Sequence, residues 1–486
     1  MGKIESSWCF RAILYYRGKM NNRILKISNV KKTIHYLQKN GLRHTFYAAK
    51  ERIGEEKKAE YVYREPEEAQ LALQRAEWKH FPYRFSIVVP AYETREAYMR
   101  DLIDSVRRQT YGRWELVIAD ASTGNRVEEI VAEYQEKEQE RRLRYIRLIE
   151  NRGISENTNA GIEAAAGDYI GLLDHDDFLA PDALYEMALA LRNAEEKNKN
   201  KTPVLLYSDE DKYENNASYK TPNRKRKFNL DLILSNNYIC HFMMVRADRI
   251  KTLKLRKKYD GAQDYDLVLR IVGGLLCSEV GPGMEEYILH IPKVLYHWRC
   301  HEQSTADNTA SKMYAYDAGK AALEDFCRKQ DWNVQVSHSL HLGFYKIKYI
   351  PDIFTVRSDV GIIGGRILNG QNKIISGIYD EKGNRLYRGL HKEYSGGSTH
   401  LAVLMQDCAA VDIRCMRLCK ELRPVFEEIT GVSYTETGKQ GLADVSGISC
   451  DEEGYRKLSM ELGQAAREKG FLVVWTPQLT LKIRKK

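Results

Sequence analysis

Three carboxylates follow a short apolar stretch near the middle of the chain, in the sequence Asp174-His175-Asp176-Asp177. Acids placed so close together repel one another and resist burial. A divalent cation between them would make the arrangement favourable, and oxygen ligands suit Mg²⁺ or Mn²⁺. Such a cation would in turn hold a diphosphate. The alternative is a solvated acidic turn that caps the next helix.

The acidic turn needs a strand before it and a helix after it. Apolar residues 169–173 predict a buried strand, and Pro181 opens a stretch with apolar residues at helical spacing. Strands are also predicted at 86–89, 116–119 and 145–149, each followed by a helical pattern. Strands that alternate with helices indicate an α/β fold with a mostly parallel, Rossmann-like sheet.

Candidate ligand-binding residues stand at the carboxyl ends of these predicted strands, where α/β sheets bind their ligands. In chain order they are Pro90, Tyr92, Glu93, Asp120, Asn151 and Asp174. The turn after the first strand lacks the G-x-G-x-x-G sequence of dinucleotide-binding folds. We therefore expect a metal ion, rather than a glycine-rich loop, to neutralise a bound diphosphate.

The length and composition of the chain limit the classes of protein to which it can belong. A chain of 486 residues is too long for one compact core, so two or three units are expected. No apolar run approaches the ~18 residues that a membrane span needs, and no signal-peptide core is visible. The nine cysteines include no C-x-x-C pair, which favours reduced thiols. These features predict a cytoplasmic protein.

The positive charge of the chain is concentrated at its N-terminus. Residues 1–58 hold 14 Lys and Arg against four Glu, whereas the net charge of the whole chain is +9. Aliphatic and aromatic residues are interleaved with basic ones, as in Phe10–Arg17. Such a segment could lie on the anionic inner face of the cell membrane, and a solvated helical face is the alternative. No nucleic-acid-binding module is recognisable, so nucleic acid is not an expected partner.

Six segments resemble, in order and spacing, the successive motifs of family 2 glycosyltransferases, which have the GT-A fold. They are Ser86–Glu93, Ala119–Thr123, Asn151–Gly161, Leu173–Leu184, Gln263–Arg270 and His297–Thr305. The resemblance is closest to bacterial enzymes of the rhamnosyl- and galactosyltransferase type that build cell-surface polysaccharides. It implies a hexosyltransferase that moves a sugar, with inversion, from a UDP-, dTDP- or GDP-linked donor to a hydroxyl of a glycan or lipid-linked glycan.

The resemblance also implies roles for individual residues. The end of the first strand and Asp120 would hold the nucleobase and ribose, with Asn151 also at the nucleotide. Asp174 and Asp176 would bind Mn²⁺ or Mg²⁺, with Asp176 as the more direct ligand, and His297 would complete the metal site.

Asp264 would accept the proton of the acceptor hydroxyl in such an enzyme. The usual Glu-Asp pair of the family reads Gln263-Asp264 here, so one carboxylate is missing.

Structural alternatives exist for several of these residues. His297 could be a core histidine, Asp264 could cap the helix that follows it, and Asp177 is expected to cap the helix after the acidic turn. For the whole protein, the alternative is a catalytically inactive scaffold of the same fold that binds a glycan or a partner protein.

Three parts of the chain are predicted. Residues 1–83 form a basic, mainly helical region, and residues 84–330 form the GT-A catalytic domain. Residues 331–486 resemble the latter part of the same fold, as a degenerate or truncated second unit. The position that matches Asp264 there is Ser459, and no D-x-D sequence occurs after residue 330. We therefore expect no second metal site.

Overall fold

The structure is a computed structural model that describes residues 36–37, 40–51, 61–137, 139–198, 201–214, 218–278, 281–300 and 313–483. Most of the basic segment 1–58, with its predicted membrane contact, lies outside these residues. Of that segment, residues 40–51 are described as helical. Among the described residues, no helix combines the length and the apolar character that crossing a bilayer requires.

The larger sheet has nine strands within the described part of the chain. They are β1 (Phe85–Ala91), β2 (Trp114–Asp120), β3 (Leu143–Arg147), β4 (Tyr169–Leu172), β5 (Phe178–Leu179), β6 (Leu205–Glu214), β7 (Ser218–Asn223), β8 (Met243–Arg246) and β9 (Ile288–Cys300). Their order in space is β3-β2-β1-β4-β8-β6-β9-β5, and β7 pairs with β6. The half formed by β3, β2, β1 and β4 is parallel, as predicted. Beyond it β6 and β9 are also parallel, whereas β8, β7 and β5 join antiparallel to their neighbours, so the sheet is mixed in its second half.

Helices cover the two faces of this sheet. They span Glu68–Glu77, Glu96–Arg107, Arg126–Glu136, Ile154–Ala164, Ala183–Lys197, Leu230–Ile233, Ala247–Leu253, Gln263–Cys277 and Met313–Lys329. Buried side chains recur every three or four residues in Glu96–Arg107, at Met99, Leu102, Ile103 and Val106. This spacing places one apolar stripe against the sheet. Strand β2 is buried along its whole length, as expected of an interior parallel strand.

A hairpin of β10 (Val334–His338) and β11 (Tyr345–Tyr349) extends the first core. Its side chains Val336, Tyr345 and Ile347 belong to the same buried cluster as residues of helix Met313–Lys329. The packing therefore continues past the predicted boundary at residue 330.

A smaller sheet forms the C-terminal part. Its strands are β12 (Val360–Leu368), β13 (Ile374–Ser376), β15 (Gln406–Asp407), β17 (Met416–Leu418) and β20 (Leu472–Lys482). Short pairs join β14 (Ile378–Tyr379) to β16 (Ala410–Val411) and β18 (Glu436–Thr437) to β19 (Leu442–Ala443). Helices span Ile353–Val356, Arg423–Thr430 and Glu452–Glu468.

The connection from β12 through helix Glu452–Glu468 to β20 repeats the connection from β6 through helix Gln263–Cys277 to β9. Both strand pairs are parallel. This repetition fits the predicted partial second GT-A-like unit.

The C-terminal part meets the first core through buried polar groups. Arg357 and Asp231 are 0% and 1% exposed, and their closest atoms, Nη1 and Oδ1, lie 3.1 Å apart. Nearby, Asn229 Nδ2 donates to the carbonyl of Asp407 at 2.9 Å, and Asp407 Oδ2 accepts from the N–H of Leu230 at 2.7 Å. Burial, with Asp231 alongside, raises the pKa of the Asp407 carboxyl well above its usual range.

Candidate functional site

The acidic turn lies between β4 and β5, and its three carboxylates have different surroundings. Asp177 is buried, accepts from the backbone N–H of Arg299 at 2.7 Å, and also accepts from the hydroxyl of Tyr296. Burial raises the pKa of Asp177, and the charges of Asp176 and Asp174 add to this effect. Asp177 therefore has a structural role, as expected, but it ties the turn to β9 instead of capping the next helix.

Asp174 and Asp176 are partly exposed, in contrast to Asp177. The carboxylate of Asp174 is 43% exposed and lies 3.5 Å from Nε2 of His241. The backbone carbonyl of Asp176 accepts from Nε of Arg299 at 2.7 Å, which fixes the turn without using the Asp176 side chain. Both carboxylates lie at the end of β4, where the sequence predicted a ligand site.

The antiparallel pairing of β4 with β8 explains why His241 stands beside the acidic turn. In this register Leu172 is opposite Met243, so continuation of the pairing by two residues brings position 241 to position 174. No local motif marks His241 in the sequence, because only the strand register connects positions 241 and 174.

Asp264 joins this group from a distant part of the sequence. Its Oδ2 accepts from Nδ2 of Asn237 at 3.0 Å, and its Oδ1 accepts from the N–H of Tyr265 at 2.8 Å. Ligand-type atoms of Cys240, His241 and Asp264 lie within 4.8 Å of one another. His241 therefore lies close to both Asp174 and the predicted base, Asp264. Asp264 keeps this position while it also accepts from the N–H of Tyr265 in the first turn of its helix.

Two buried charged residues behind His241 hold its segment in place. The N–H of His241 donates to Oε2 of Glu210 at 2.6 Å, and Nζ of Lys225 lies 3.7 Å from the same oxygen. The Lys225 ammonium also donates to the carbonyls of Ile239, at 2.9 Å, and of His241. Lys225 belongs to the basic sequence Arg224-Lys225-Arg226-Lys227, and its buried ammonium is an internal anchor.

These charges set the protonation of the group. Burial acts to lower the pKa of His241, but its contacts with Asp174 and Glu210 act to raise it, and the pKa lies well above its usual range. Burial would raise the pKa of Glu210, but Lys225 and His241 lower it to about 2. At neutral pH the group therefore contains a charged imidazole beside the ionised carboxylate of Glu210.

Replacing Glu210 by Gln is expected to remove a pH-dependent part of the stability. The folded-state pKa of about 2 lies below the ordinary value of 4.5, so Glu210 stabilises the protein above pH 4.5. This contribution is lost as pH falls from 4.5 to about 2. We expect Glu210→Gln to lower the free energy of unfolding by about 3 kcal/mol at pH 7. Urea unfolding measured between pH 7 and pH 2.5 should show this difference shrink.

The matched control is Glu214→Gln on the same strand, whose side chain is 46% exposed and pairs with Lys220. We expect this variant to follow the wild-type curve at every pH. A constant difference between Glu210→Gln and the wild type across the pH range would contradict the assigned pKa shift.

The loops after β1 and β2 are tied together by the predicted nucleotide-binding residues. Oε1 of Glu93 accepts from the N–H and the hydroxyl of Thr123 at 2.9 and 2.8 Å, and these bonds lower the pKa of Glu93. Asp120 is fully buried, and its oxygens accept from the N–H of Ser122 and the hydroxyl of Tyr145, both at 2.9 Å. Glu93 and Asp120 thus shape the loops, and their contact with a nucleotide stays a prediction.

The other predicted nucleotide-binding residues lie at the ends of β1 and β3. Pro90 is within β1, and the Tyr92 side chain just beyond it is 46% exposed, which leaves its ring accessible to a planar ligand. Oδ1 of Asn151 accepts from the N–H of Gly153 at 3.0 Å. Gly153 has a φ of +97°, and a Cβ there would lie 2.6 Å from a carboxylate oxygen of Asp260. Glycine thus lets the β3 loop approach the segment that leads to Asp264.

His297 does not join the acidic turn. Its ring is 2% exposed, and Nδ1 lies 2.7 Å from Oδ1 of Asp211. Three aromatic rings enclose it at centroid distances of 4.5 to 4.9 Å, those of Tyr63, Phe178 and Tyr219. Among the residues with described side chains, the acidic turn and His297 do not form a common ligand group. The structure therefore favours the core-histidine alternative, because the imidazole contacts Asp211 and is surrounded by the three aromatic rings.

A family model matches the first half of the larger sheet and the segment that follows it. The model of the family "Glycosyl transferase family 2" matches residues 86–253, which include β1 to β4, the acidic turn and the Cys240-His241 segment.

Two curated relatives match about half of the chain. The chain is 36% identical over 242 residues to the uncharacterized protein y4gI of Sinorhizobium fredii, a match that covers 49% of the chain and 25% of the relative. It is 32% identical over 266 residues to the O-antigen biosynthesis protein RfbC of Myxococcus xanthus, which covers 54% of the chain and 19% of the relative. The chain thus spans a quarter or less of the length of these relatives.

Among solved structures, S. aureus TarS 1–349 in complex with UDP-GlcNAc is similar, with a TM-score of 0.38 and 18% identity. That match covers 51% of the chain and 66% of TarS 1–349.

Proposed function

Because the chain carries a family 2 glycosyltransferase domain of GT-A fold, we propose that it transfers a sugar from a nucleotide-sugar donor to a hydroxyl of a glycan or lipid-linked glycan. The reaction would belong to the synthesis of a bacterial cell-surface polysaccharide or glycoconjugate, on the cytoplasmic side of the membrane. The observation that carries the proposal is the approach of Asp174 and Asp264, from separate motifs, to the same residue, His241.

The acidic turn fits a divalent cation by the chemistry of its donors. Asp174 and Asp176 offer carboxylate oxygens in a partly exposed turn, which suits Mn²⁺ or Mg²⁺. Such an ion would stabilise the negative charge of the departing nucleoside diphosphate. We therefore propose Asp174 and Asp176 as its ligands, without His297.

The trio of Cys240, His241 and Asp264 fits a resident metal poorly. Burial, with Asp264 close by, raises the pKa of the Cys240 thiol, and His241 is charged at neutral pH. A protonated imidazole has no lone pair for a cation, and a protonated thiol is a much weaker ligand than a thiolate. The trio instead supplies a positive charge and a base between the donor and acceptor sides.

Asp264 is the proposed catalytic base. An acceptor hydroxyl is a weak nucleophile until a carboxylate takes its proton as the new bond forms. The amide of Asn237 fixes the Asp264 carboxylate through its 3.0 Å hydrogen bond. Attack from the side opposite the leaving nucleotide inverts the anomeric configuration. His241 lies between the two acidic groups, where its positive charge lowers their mutual repulsion.

The test is a panel of UDP-, dTDP- and GDP-sugars incubated with the protein and Mn²⁺, scored by released nucleotide. We expect release from donors of one nucleotide class, loss of release in EDTA, and recovery on addition of Mn²⁺ or Mg²⁺. Release that persists in EDTA would contradict the metal assignment. No release from any donor, combined with nucleotide binding in calorimetry, would favour the inactive scaffold.

A further inference from the structure

A cavity of about 370 Å³ lies where the helix of residues 40–51, the β10–β11 hairpin and the C-terminal sheet meet. Its wall includes Ser235, from the segment that leads on to Asn237 and the candidate base. A volume in the range of ~300–1,000 Å³ is typical of small-molecule sites. Nothing in the proposed transfer reaction uses this cavity.

Arg366, on β12, supplies the most unusual group in the wall. Its Nη1 donates to the carbonyl of Lys392 at 2.9 Å, and its Nε donates to the hydroxyl of Thr480 at 3.3 Å. Burial lowers the pKa of Arg366, although Glu393 acts in the opposite direction. Within the described chain, no carboxylate oxygen lies within 4.0 Å of this guanidinium. A desolvated guanidinium without a carboxylate partner favours binding of an anion.

Two further cations line the same cavity. Lys346 on β11 and Lys392 both contribute to its wall. Neither ammonium has a carboxylate partner within 4.0 Å among the residues that the structure describes. The wall of this one cavity therefore contains three basic side chains, those of Arg366, Lys346 and Lys392.

The acids of the wall are already engaged. Glu51 accepts from the backbone N–H groups of residues 395–397 at 2.7 to 3.0 Å. Glu393 accepts from Arg43 at 2.8 Å, and Asp231 is paired with the buried arginine at the domain contact. The oxygens of these acids therefore have partners of their own, whereas the Lys346 and Lys392 ammonium groups have no carboxylate partner among the described residues.

Aromatic and hydroxyl side chains complete the wall. Tyr36, His341 and Tyr349 line the cavity and contribute apolar ring surface, which a sugar can pack against. The hydroxyls of Ser339 and Thr480 also lie in the wall, and that of Ser339 donates to the carbonyl of His341 at 3.2 Å. We propose that this cavity binds a saccharide that carries a carboxylate or a phosphate, with the anion at Arg366, Lys346 and Lys392. The proposal goes beyond the transfer reaction and does not depend on it.

Titration calorimetry with the full chain tests the site with glucuronic acid, glucose 1-phosphate, glucose and inorganic phosphate as probes. We expect at least one charged sugar to bind, and glucose to bind about tenfold more weakly or less, because it lacks the charge-assisted hydrogen bonds. The comparison between glucuronic acid and glucose 1-phosphate identifies which anion the site prefers. Inorganic phosphate that binds as tightly as glucose 1-phosphate would overturn the saccharide assignment, and no binding of either charged sugar would overturn the site.

Variants locate the site on the protein. Arg366→Gln and Lys392→Gln are each expected to weaken binding of the charged sugar by about tenfold or more. Lys392→Gln is the safer variant, because the Lys392 side chain is only partly buried and the replacement keeps its backbone carbonyl for Arg366. Lys373→Gln, at an exposed lysine outside the cavity, is the matched control and should bind as the wild type does. Equal affinity in all three variants would contradict the proposal.

Nucleotide release from the donor separates this proposal from the transferase proposal. The three variants lie outside the candidate active site, so we expect them to release nucleotide at the wild-type rate. If the protein binds the charged sugar but releases no nucleotide from any donor, the result would support the cavity proposal and contradict the transferase proposal.

Discussion

Replacing Asp176 by Asn is expected to reduce metal-dependent release of nucleotide from the donor by about a hundredfold or more. The amide keeps the shape of the side chain but removes the negative charge that the proposed cation needs. The fold should survive, because Arg299 holds the turn through the Asp176 carbonyl and Asp177 secures it to β9. The measurement is steady-state nucleotide release at saturating Mn²⁺, with the donor that the panel identifies.

A matched variant separates charge loss at the site from charge loss elsewhere. Asp104→Asn removes a carboxylate that is 52% exposed on helix Glu96–Arg107, and this variant should retain full activity. Thermal unfolding of both variants should coincide with that of the wild type. Turnover in Asp176→Asn at the wild-type rate would exclude this carboxylate as a metal ligand.

Replacing Arg357 by Met is expected to produce the largest loss of stability. The guanidinium is fully buried between Asp231 and Asp359, with its Nη2 at 2.6 Å from Oδ2 of Asp359. Its removal leaves Asp231, which is 1% exposed, without its countercharge. Removal of one partner of a buried ion pair costs about 3–5 kcal/mol. Urea unfolding at pH 7 should show this decrease.

A second variant and a control define the cause. Asp231→Asn combined with Arg357→Met removes both charges, so we expect it to recover part of the lost stability. Arg388→Met, at an exposed arginine, should be neutral. An Arg357→Met protein as stable as the wild type would show that the ion pair does not hold the two parts of the chain together.

Local patterns were sufficient to predict the first half of the sheet. Strands β1 to β4 each combine an apolar run with a helix at short distance, and the structure has them in the predicted places. The acidic turn at the end of β4 follows from the same pattern. Asp264 could be found only by resemblance, because its approach to the turn depends on strands that are remote in sequence.

The acidic stretch 209–211 shows where local patterns are insufficient. The sequence suggests another polar strand end, but these acids lie buried within β6 and each has a long-range partner. Asp209 pairs with His290, Glu210 with Lys225, and Asp211 with His297. Each partner comes from a different position in the chain, so neither hydrophobicity nor spacing could have predicted the pairs. The pairing with Asp211 is also the reason why the structure favours the core-histidine alternative for His297.

One continuous segment, from Asn229 to His241, contacts three parts of the protein that are far apart in the sequence. Its first residue holds Asp407 of the C-terminal part, Asn237 holds the proposed base, and His241 stands against the acidic turn. The contact with the C-terminal part and the positions of the proposed base and the acidic turn are therefore linked through one segment. A misplacement of reacting groups by about 1 Å can slow a reaction about a hundredfold. In the proposed transfer reaction, a unit without catalytic acids of its own would therefore contribute to the rate through this segment.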